Sequence, residues 1–372
     1  MNTARLEKLV ALMRAHGLAG FALNPGPTLT YLSDLHFHLM ERPTVLIVAQ
    51  TGAAAMVLPA LEKGKLPVET DLFRAFAYGD DPATWQEAFD QAGAWSGMEN
   101  GSLGVEPTRL RFLELSYLKQ ALPGVELVDA SPVIAGLRMQ KDADEIRKMR
   151  KAAEMAQKAI LQTLPSIQAG MTEKAIANEL IIQLLRAGSD PEMPFAPIVA
   201  IGENSANPHS VPGERTLQPG DLLLVDWGAG FEGYFSDITR TFTFGSVDPE
   251  LIAIGEIVRS ANRAGREVWR AGMPAGAVDD AARQVIETAG YGPAFFHRTG
   301  HGLGMEAHEP PYIFAGNDQI LAVGMTFTVE PGIYLPGKGG VRIEDDVVVT
   351  EQRLESLTNL PRQVLPLEDF TG

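Results

Sequence analysis

A duplicated pattern constrains this chain more than any other feature of its sequence. Ala169-Gly-Met171 opens a helical segment that ends at Ala187-Gly188, and Ala271-Gly-Met273 opens another that ends at Ala289-Gly290. The start and the end are displaced by the same 102 residues. A long amphipathic pattern precedes each copy, over 142–164 and 251–270, and strand-like runs carrying two acids follow. Those acids are Asp226 and Asp237 in the first copy, Glu330 and Glu344 in the second. Counted from the glycine of each tripeptide, Asp226 lies 56 residues on and Glu330 lies 58. Two alanine-rich helices could share a tripeptide by chance. Matching helices and matching acids together favour a duplicated unit with internal pseudo-two-fold symmetry, which brings equivalent acids of both halves to one axis.

The acids themselves are out of place. Leu222-Leu-Leu-Val-Asp226-Trp227 reads as a buried strand opened by the turn Pro219-Gly220-Asp221. A carboxylate there must be paired, neutralised or metal-bound, because burying it bare costs several kcal/mol or more. A glycine-rich turn between Asp226 and Asp237 suggests a hairpin that sets them side by side. A turn or capping role for Asp237 is the alternative, which the β-rich run Ile238–Phe244 disfavours. Glu330 ends a strand stopped by Pro331-Gly332, and Glu344 sits between Ile343 and the strand formers Val347–Val349. Alternation puts Arg342 and Glu344 on one face, so a surface ion pair between them is an open reading. Asp345 and Asp346 read as strand-edge or solvated acids.

His297-Arg-Thr-Gly-His301-Gly-Leu-Gly-Met-Glu-Ala-His308 packs three of the seven histidines into twelve residues. Its glycines disfavour a plain helix and allow close backbone approach. Four acids and His301 could hold one divalent cation and are better matched to two. Oxygen donors with one imidazole and no sulfur suit Mn²⁺, Co²⁺, Fe²⁺ or Zn²⁺. Paired metals bridged by carboxylates generate hydroxide near neutral pH and polarise a carbonyl, so hydrolysis of a peptide or related bond follows. No phosphate-binding loop of the P-loop or dinucleotide type is present.

At 372 residues the chain is long enough for two domains. Its formal charge of −16 opposes general affinity for nucleic acid or anionic membrane. With no cysteine, disulfides, thiolate metal sites and thiol nucleophiles are excluded. The N-terminus is charged and amphipathic, and no apolar run approaches the ~20 residues of a membrane span, so a soluble cytoplasmic protein is expected. The first third reads as alternating strands (Gly20–Leu23, Thr44–Ala49, Ala55–Leu58) and helices (4–16, and near Pro107–Ala121). Residues 131–137 look like a connection. Asp142 and Glu145 then form a capping-box pair at the head of the long helix. Domains of 1–135 and 136–372 result.

The order Asp226, Asp237, His301, Glu330, Glu344 resembles the dinuclear site of the pita-bread metallopeptidases, which include methionine aminopeptidase, aminopeptidase P and prolidase. The segment from His297 to Glu309 is similar to the signature of the proline-specific branch, with Ala307 where that branch usually has a branched aliphatic residue. The resemblance is strong over the second domain and covers the first in outline. It implies an α/β (α+β) chain: a creatinase-like N-terminal α/β domain serving dimerisation and substrate access, then a pita-bread catalytic domain. It implies that Asp237 and Glu344 bridge two divalent ions, Mn²⁺ or Co²⁺ in the first place. Asp226 would bind one ion, His301 and Glu330 the other, with Glu330 also the proton shuttle. By the same resemblance His209 (in Asn207-Pro-His209) and His308 stabilise a tetrahedral intermediate, and His297 is a further active-site histidine. Arg342 orients the bridging carboxylates or binds a substrate carboxylate. The implied activity is cleavage of Xaa-Pro dipeptides or short peptides by a cytoplasmic homodimer, prolidase being favoured over aminopeptidase P. A metal-independent creatinase-like amidinohydrolase and a non-catalytic peptide-binding module are the readings of another class. His36, His38 or Arg42 would either reach a partner subunit's site or belong to an ordinary loop.

Overall fold

The computed structural model describes residues Asn2 to Phe370. The chain divides into two compact units, Met1–Arg138 and Met139–Gly372. The first is a mixed sheet with helices. Strands β1 (Gly20–Leu23), β2 (Val45–Ala49), β3 (Ala54–Pro59), β4 (Phe73–Tyr78), β5 (Gly101–Val105) and β6 (Val125–Asp129) lie in the order β4-β3-β2-β1-β5-β6. The central pairs β1–β2 and β2–β3 are antiparallel and the outer ones parallel. The helices are α1 (Thr3–Ala15), α2 (Pro27–Ser33), α3 (Trp85–Ser96), α4 (Phe112–Ala121) and α5 (Ser131–Arg138). Phe89 of α3 and Leu118 of α4 are fully buried with Val45, Ile47, Val57 and Leu103 of the sheet. Burying each such side chain stabilises by about 1.5–3 kcal/mol.

Two sequence readings need correction here. Residues 131–137 form helix α5 rather than a connection, because Val133 and Leu137 supply a buried face four residues apart. Helix α4 begins at Phe112, five residues after Pro107.

The second unit is built twice over. Its first half contains α6 (Ala143–Thr163), α7 (Glu173–Ala187), β7 (Ile198–Ile201), β8 (Leu222–Trp227), a small hairpin of β9 (Gly230–Phe231) and β10 (Tyr234–Phe235), and β11 (Ile238–Thr243). The second contains α8 (Pro249–Glu267), α9 (Gly276–Thr288), β12 (Gly300–Gly302), β13 (Glu309–Ile313), β14 (Thr326–Val329), β15 (Gly332–Leu335), β16 (Gly339–Arg342), β17 (Asp345–Val349) and β18 (Leu354–Ser356). Strand β19 (Leu365–Pro366) then returns to the first sheet. In one sheet β7-β8-β11 run antiparallel; in the other β12-β14-β17 do the same.

The echo in sequence is an echo in hydrogen bonding. Leu217 N–H donates to the Met171 carbonyl at 2.9 Å, and Leu321 N–H donates to that of Met273 at 3.0 Å. Gly188 and Gly290, which follow α7 and α9, take φ of 101° and 86°, the left-handed geometry in which a side chain is strained. Helix α6 starts as its sequence requires. Asp142 accepts from the N–H groups of Asp144 and Glu145, and Glu145 reaches back to the Asp142 N–H.

Strand β8 is buried on both faces, so its apolar run is continuous rather than alternating. Its Trp227 packs with α6 and α7 residues such as Ile160 and Leu180 and donates its indole N–H to the Ala156 carbonyl at 2.9 Å. That packing holds the neighbouring Asp226 at a fixed depth.

Candidate metal centre

The four acids arrive from equivalent places in the two halves. Asp226 lies near the end of β8 and Glu330 directly follows β14; Asp237 directly precedes β11 and Glu344 directly precedes β17. In the β8–β11 register Thr239 faces Asp226, which sets Asp237 close beyond the end of the pair. The strand ends of the two halves are tied together: Glu344 N–H donates to the Thr239 carbonyl at 3.1 Å, and Asp237 N–H donates to the Asp346 carboxylate at 3.1 Å. His301 enters from β12. Its flanking glycines are required by space, since a Cβ at Gly300 would overlap the Thr328 carbonyl oxygen and one at Gly302 those of Glu309 and Pro310.

Three sets of side chains each offer donor atoms within 4.8 Å of one another: Asp226, Asp237 and Glu344; His301, Glu330 and Glu344; Asp237, His301 and His308. His301 Nε2 lies 3.4 Å from Glu330 Oε1 and 3.7 Å from Asp237 Oδ2. Asp226, Asp237, His301 and Glu344 are buried and Glu330 partly so. Burial, and then Glu344, hold Asp237 well above the usual carboxylate range. Burial, and then Glu330, do the same to Glu344, and burial pushes Glu330 up to about 7. Burial, and then His308, keep the His301 pKa low, so its imidazole is neutral and offers a lone pair.

The cluster holds more carboxylates than positive charges to pair them. Among the described residues its full ion pair is Arg342 to Asp226 Oδ2, at 2.6 Å. Asp226 Oδ1 is buried with no hydrogen-bond partner. Acids crowded to this degree, one oxygen orphaned and a neutral imidazole alongside, fit a divalent cation by donor type and by charge.

The surroundings contain residues that sequence reading missed. Arg342 donates to Asp226, to the Tyr334 hydroxyl at 3.0 Å, to Thr239 Oγ1 at 3.0 Å and to the Pro208 carbonyl at 3.3 Å. It does not form a surface pair with Glu344. Both side chains are buried, and Glu344 instead accepts from the Thr239 hydroxyl at 2.6 Å. Tyr334 Oη lies 2.9 Å from His297 Nε2, while His297 Nδ1 is 2.7 Å from the Arg298 carbonyl. A carbonyl only accepts, so Nδ1 carries the proton and Tyr334 donates to Nε2. Burial agrees: it lowers His297 to about 4 and raises Tyr334 to about 12, leaving both neutral.

A chain Asp226–Arg342–Tyr334–His297 results. Sequence offered one signal for Tyr334, an apolar context in which its hydroxyl needs a partner.

His209 and His308 are exposed, unlike His301. The His308 ring lies 3.9 Å from that of His301, and the charge of His209 bears on both His297 and His308. Buried Glu173 of α7 clamps the segment that carries His209. It accepts from the N–H groups of Ile201 and Gly213, each at 2.8 Å, and from the Asn204 amide at 2.9 Å. Asp345 and Asp346 are fully buried, contrary to the solvated role expected of them. Asp345 pairs with Arg240 at 2.8 Å and with Arg362 at 2.7 Å, and Asp346 holds the Asp237 backbone. Strand β14 stops at Val329, just ahead of Glu330 and Pro331, as the sequence suggests, and Gly332 opens the separate strand β15. In the first unit His36 and His38 are exposed, and Arg42 pairs with Asp80 at 2.9 Å.

Comparison with known proteins agrees with this geometry. Residues 147–351 match the model of "Metallopeptidase family M24" and residues 5–140 that of the "Creatinase/Prolidase N-terminal domain". The chain belongs to metallopeptidase family M24. A dipeptidase from Pyrococcus horikoshii OT3 superposes with TM-score 0.92 at 39% identity, over 97% of this chain and 99% of that one. A prolidase from Thermococcus sibiricus does so with TM-score 0.92 at 35% identity, over 98% and 99%. An Xaa-Pro dipeptidase of Lactobacillus delbrueckii subsp. lactis is 33% identical over 98% of this chain and 100% of its own length. This M24 chain therefore has the creatinase-like and pita-bread plan that its sequence resembles, and is a metallopeptidase. Among its described residues no helix is long and apolar enough to cross a membrane.

Proposed function

We propose that this enzyme hydrolyses the bond between an N-terminal residue and proline in Xaa-Pro dipeptides, using two divalent ions, Mn²⁺ or Co²⁺. The observation that carries the reading is that two donor sets, Asp226–Asp237–Glu344 and His301–Glu330–Glu344, share Glu344. Asp237 and Glu344 would hold both ions, with Asp226 serving one of them and His301 and Glu330 the other. Ions held there supply Lewis acidity and lower the pKa of water.

The chain's own residues do the rest. Glu330 accepts a proton from the attacking water and returns it to the leaving proline nitrogen. His209 and His308 are exposed where substrate enters and donate N–H groups to the developing oxyanion, an interaction typically worth about 3–4 kcal/mol. Arg342 is committed to Asp226, Tyr334 and Thr239, which supports carboxylate orientation over binding of a substrate carboxylate. The relatives' names, dipeptidase, prolidase and Xaa-Pro dipeptidase, support the dipeptide over longer peptides. A homodimer, with the first unit serving assembly and substrate access, belongs to the same reading.

Metal-stripped protein assayed on Xaa-Pro and Xaa-Pro-Yaa peptides, before and after Mn²⁺ or Co²⁺ is returned, tests it. Cleavage of the dipeptides only with metal is expected. Undiminished activity after stripping would overturn the metal dependence, and cleavage of longer peptides alone would make the enzyme an aminopeptidase P.

A further inference from the structure

Helix α8 carries an arginine cluster that the metal centre does not use. A cavity of about 410 Å³ in the second unit is lined by Arg259, Arg263 and Arg266 of α8 and by Arg362, with Ser260 and Gln363 beside them. The three helical arginines follow one another at i, i+4 and i+7, so they share a face. Like charges so placed repel, and the acids nearby do not balance them. Arg259 pairs with Glu256. Arg362 and Arg266 both turn to Asp345 Oδ2, at 2.7 and 3.5 Å, while the other oxygen of Asp345 already takes Arg240 at 2.8 Å and the Thr358 hydroxyl at 2.6 Å. Arg263 is exposed and has no partner among the described residues. The charge of Glu267 also bears on Arg266. Four guanidinium groups therefore line the cavity, of which Arg263 is unpaired among the described residues and Arg266 and Arg362 share one oxygen of an Asp345 carboxylate that also serves Arg240, a local excess of positive charge on a chain whose formal charge is −16.

The other walls add to the same preference. Ser260 and Gln363 offer donors, and the Leu360 and Pro361 carbonyls are occupied by Arg240. Guanidinium forks match the oxygens of a phosphate group two at a time. The volume falls in the range of small-molecule sites and leaves room beyond one phosphate for an organic remainder.

We propose that this cavity binds a small phosphate-bearing anion, free phosphate or a phosphate monoester. The proposal stands apart from the peptidase reading, because none of its residues is placed in the metal centre. Calorimetric titration of inorganic phosphate and of glycerol 3-phosphate into metal-loaded enzyme freed of excess metal tests it, with sodium chloride at equal ionic strength as the control. Saturable binding of one or both is expected, and which of them binds identifies the source. Arg263→Ala should weaken that binding about tenfold, and Arg259→Ala comparably. For Arg263→Ala, kcat/KM on an Xaa-Pro dipeptide should stay at the wild-type value. Binding no stronger than that of chloride would overturn the proposal. So would binding unchanged in both variants with competitive inhibition of peptide cleavage, since phosphate would then sit on the metal ions.

Discussion

Glu330 shows how a single residue at this site is governed by the charge around it. Its folded pKa is raised by burial from 4.5 to about 7, so the folded, metal-free chain holds a proton that the unfolded chain releases. The stability tied to that proton is fully present below 4.5 and is lost as pH rises through about 7. Glu330→Gln removes the titration. In metal-free protein the variant should gain on wild type as pH rises from about 5 to about 8, by roughly 1–3 kcal/mol, in denaturant unfolding. A difference independent of pH would sink this account. With metal restored the same variant should lose activity, because the amide neither carries the ligand charge nor moves the proton. The nine site residues could be singled out in sequence because charges and imidazoles stood among apolar residues and glycines. Thr239 could not, since its side chain suits a strand with or without a hydrogen bond to Glu344, and the apolar context of Tyr334 shows that its hydroxyl needs a partner without showing that the partner is Arg342.

At the scale of elements, helix α7 does more than complete the duplicated pattern. Its first-turn residue Glu173 joins Ile201, Asn204 and Gly213, and so fixes both ends of the segment carrying His209. Glu173→Ala would leave the buried Ile201 N–H and the part-buried Gly213 and Asn204 donors without this acceptor. A loss of about 2–4 kcal/mol in unfolding free energy is expected. Weakened catalysis at normal metal content should accompany it, and Glu173→Gln, which keeps an acceptor oxygen, should recover part of both. Equal stability and kcat/KM in the alanine variant would show that the segment is held otherwise. The caps of α6 and α7 were legible because Asp142, Glu145 and Gly188 act on their own helix ends. The burial of Asp345 and Asp346 was not. What keeps them inside is Arg240, 105 positions from Asp345, and the Asp237 backbone, 109 positions from Asp346.

For the whole molecule, the division into two units has a thermodynamic consequence. Each unit has its own buried core, and all nine candidate site residues belong to the second. Metal bound to the folded second unit should stabilise that unit alone, by about 2.7 kcal/mol at a hundredfold excess over Kd. Scanning calorimetry should then resolve two transitions, of which only one moves upward with Mn²⁺ or Co²⁺. A single transition moving as a whole would show that the units unfold together.

Patterns carried by neighbours in the chain were settled by sequence alone: the helix periodicity, the caps, the turn glycines after α7 and α9, and the recurrence of these signals at 102 residues. That recurrence was enough to imply a duplicated unit with its acids at a shared axis. Which oxygen meets which partner was decided only by the tertiary structure. Asp226 pairs with Arg342 across 116 positions and Thr239 with Glu344 across 105. Such pairings depend on how two sheets abut. A buried charge must find a partner wherever the fold provides one, and distance along the chain does not say where that is.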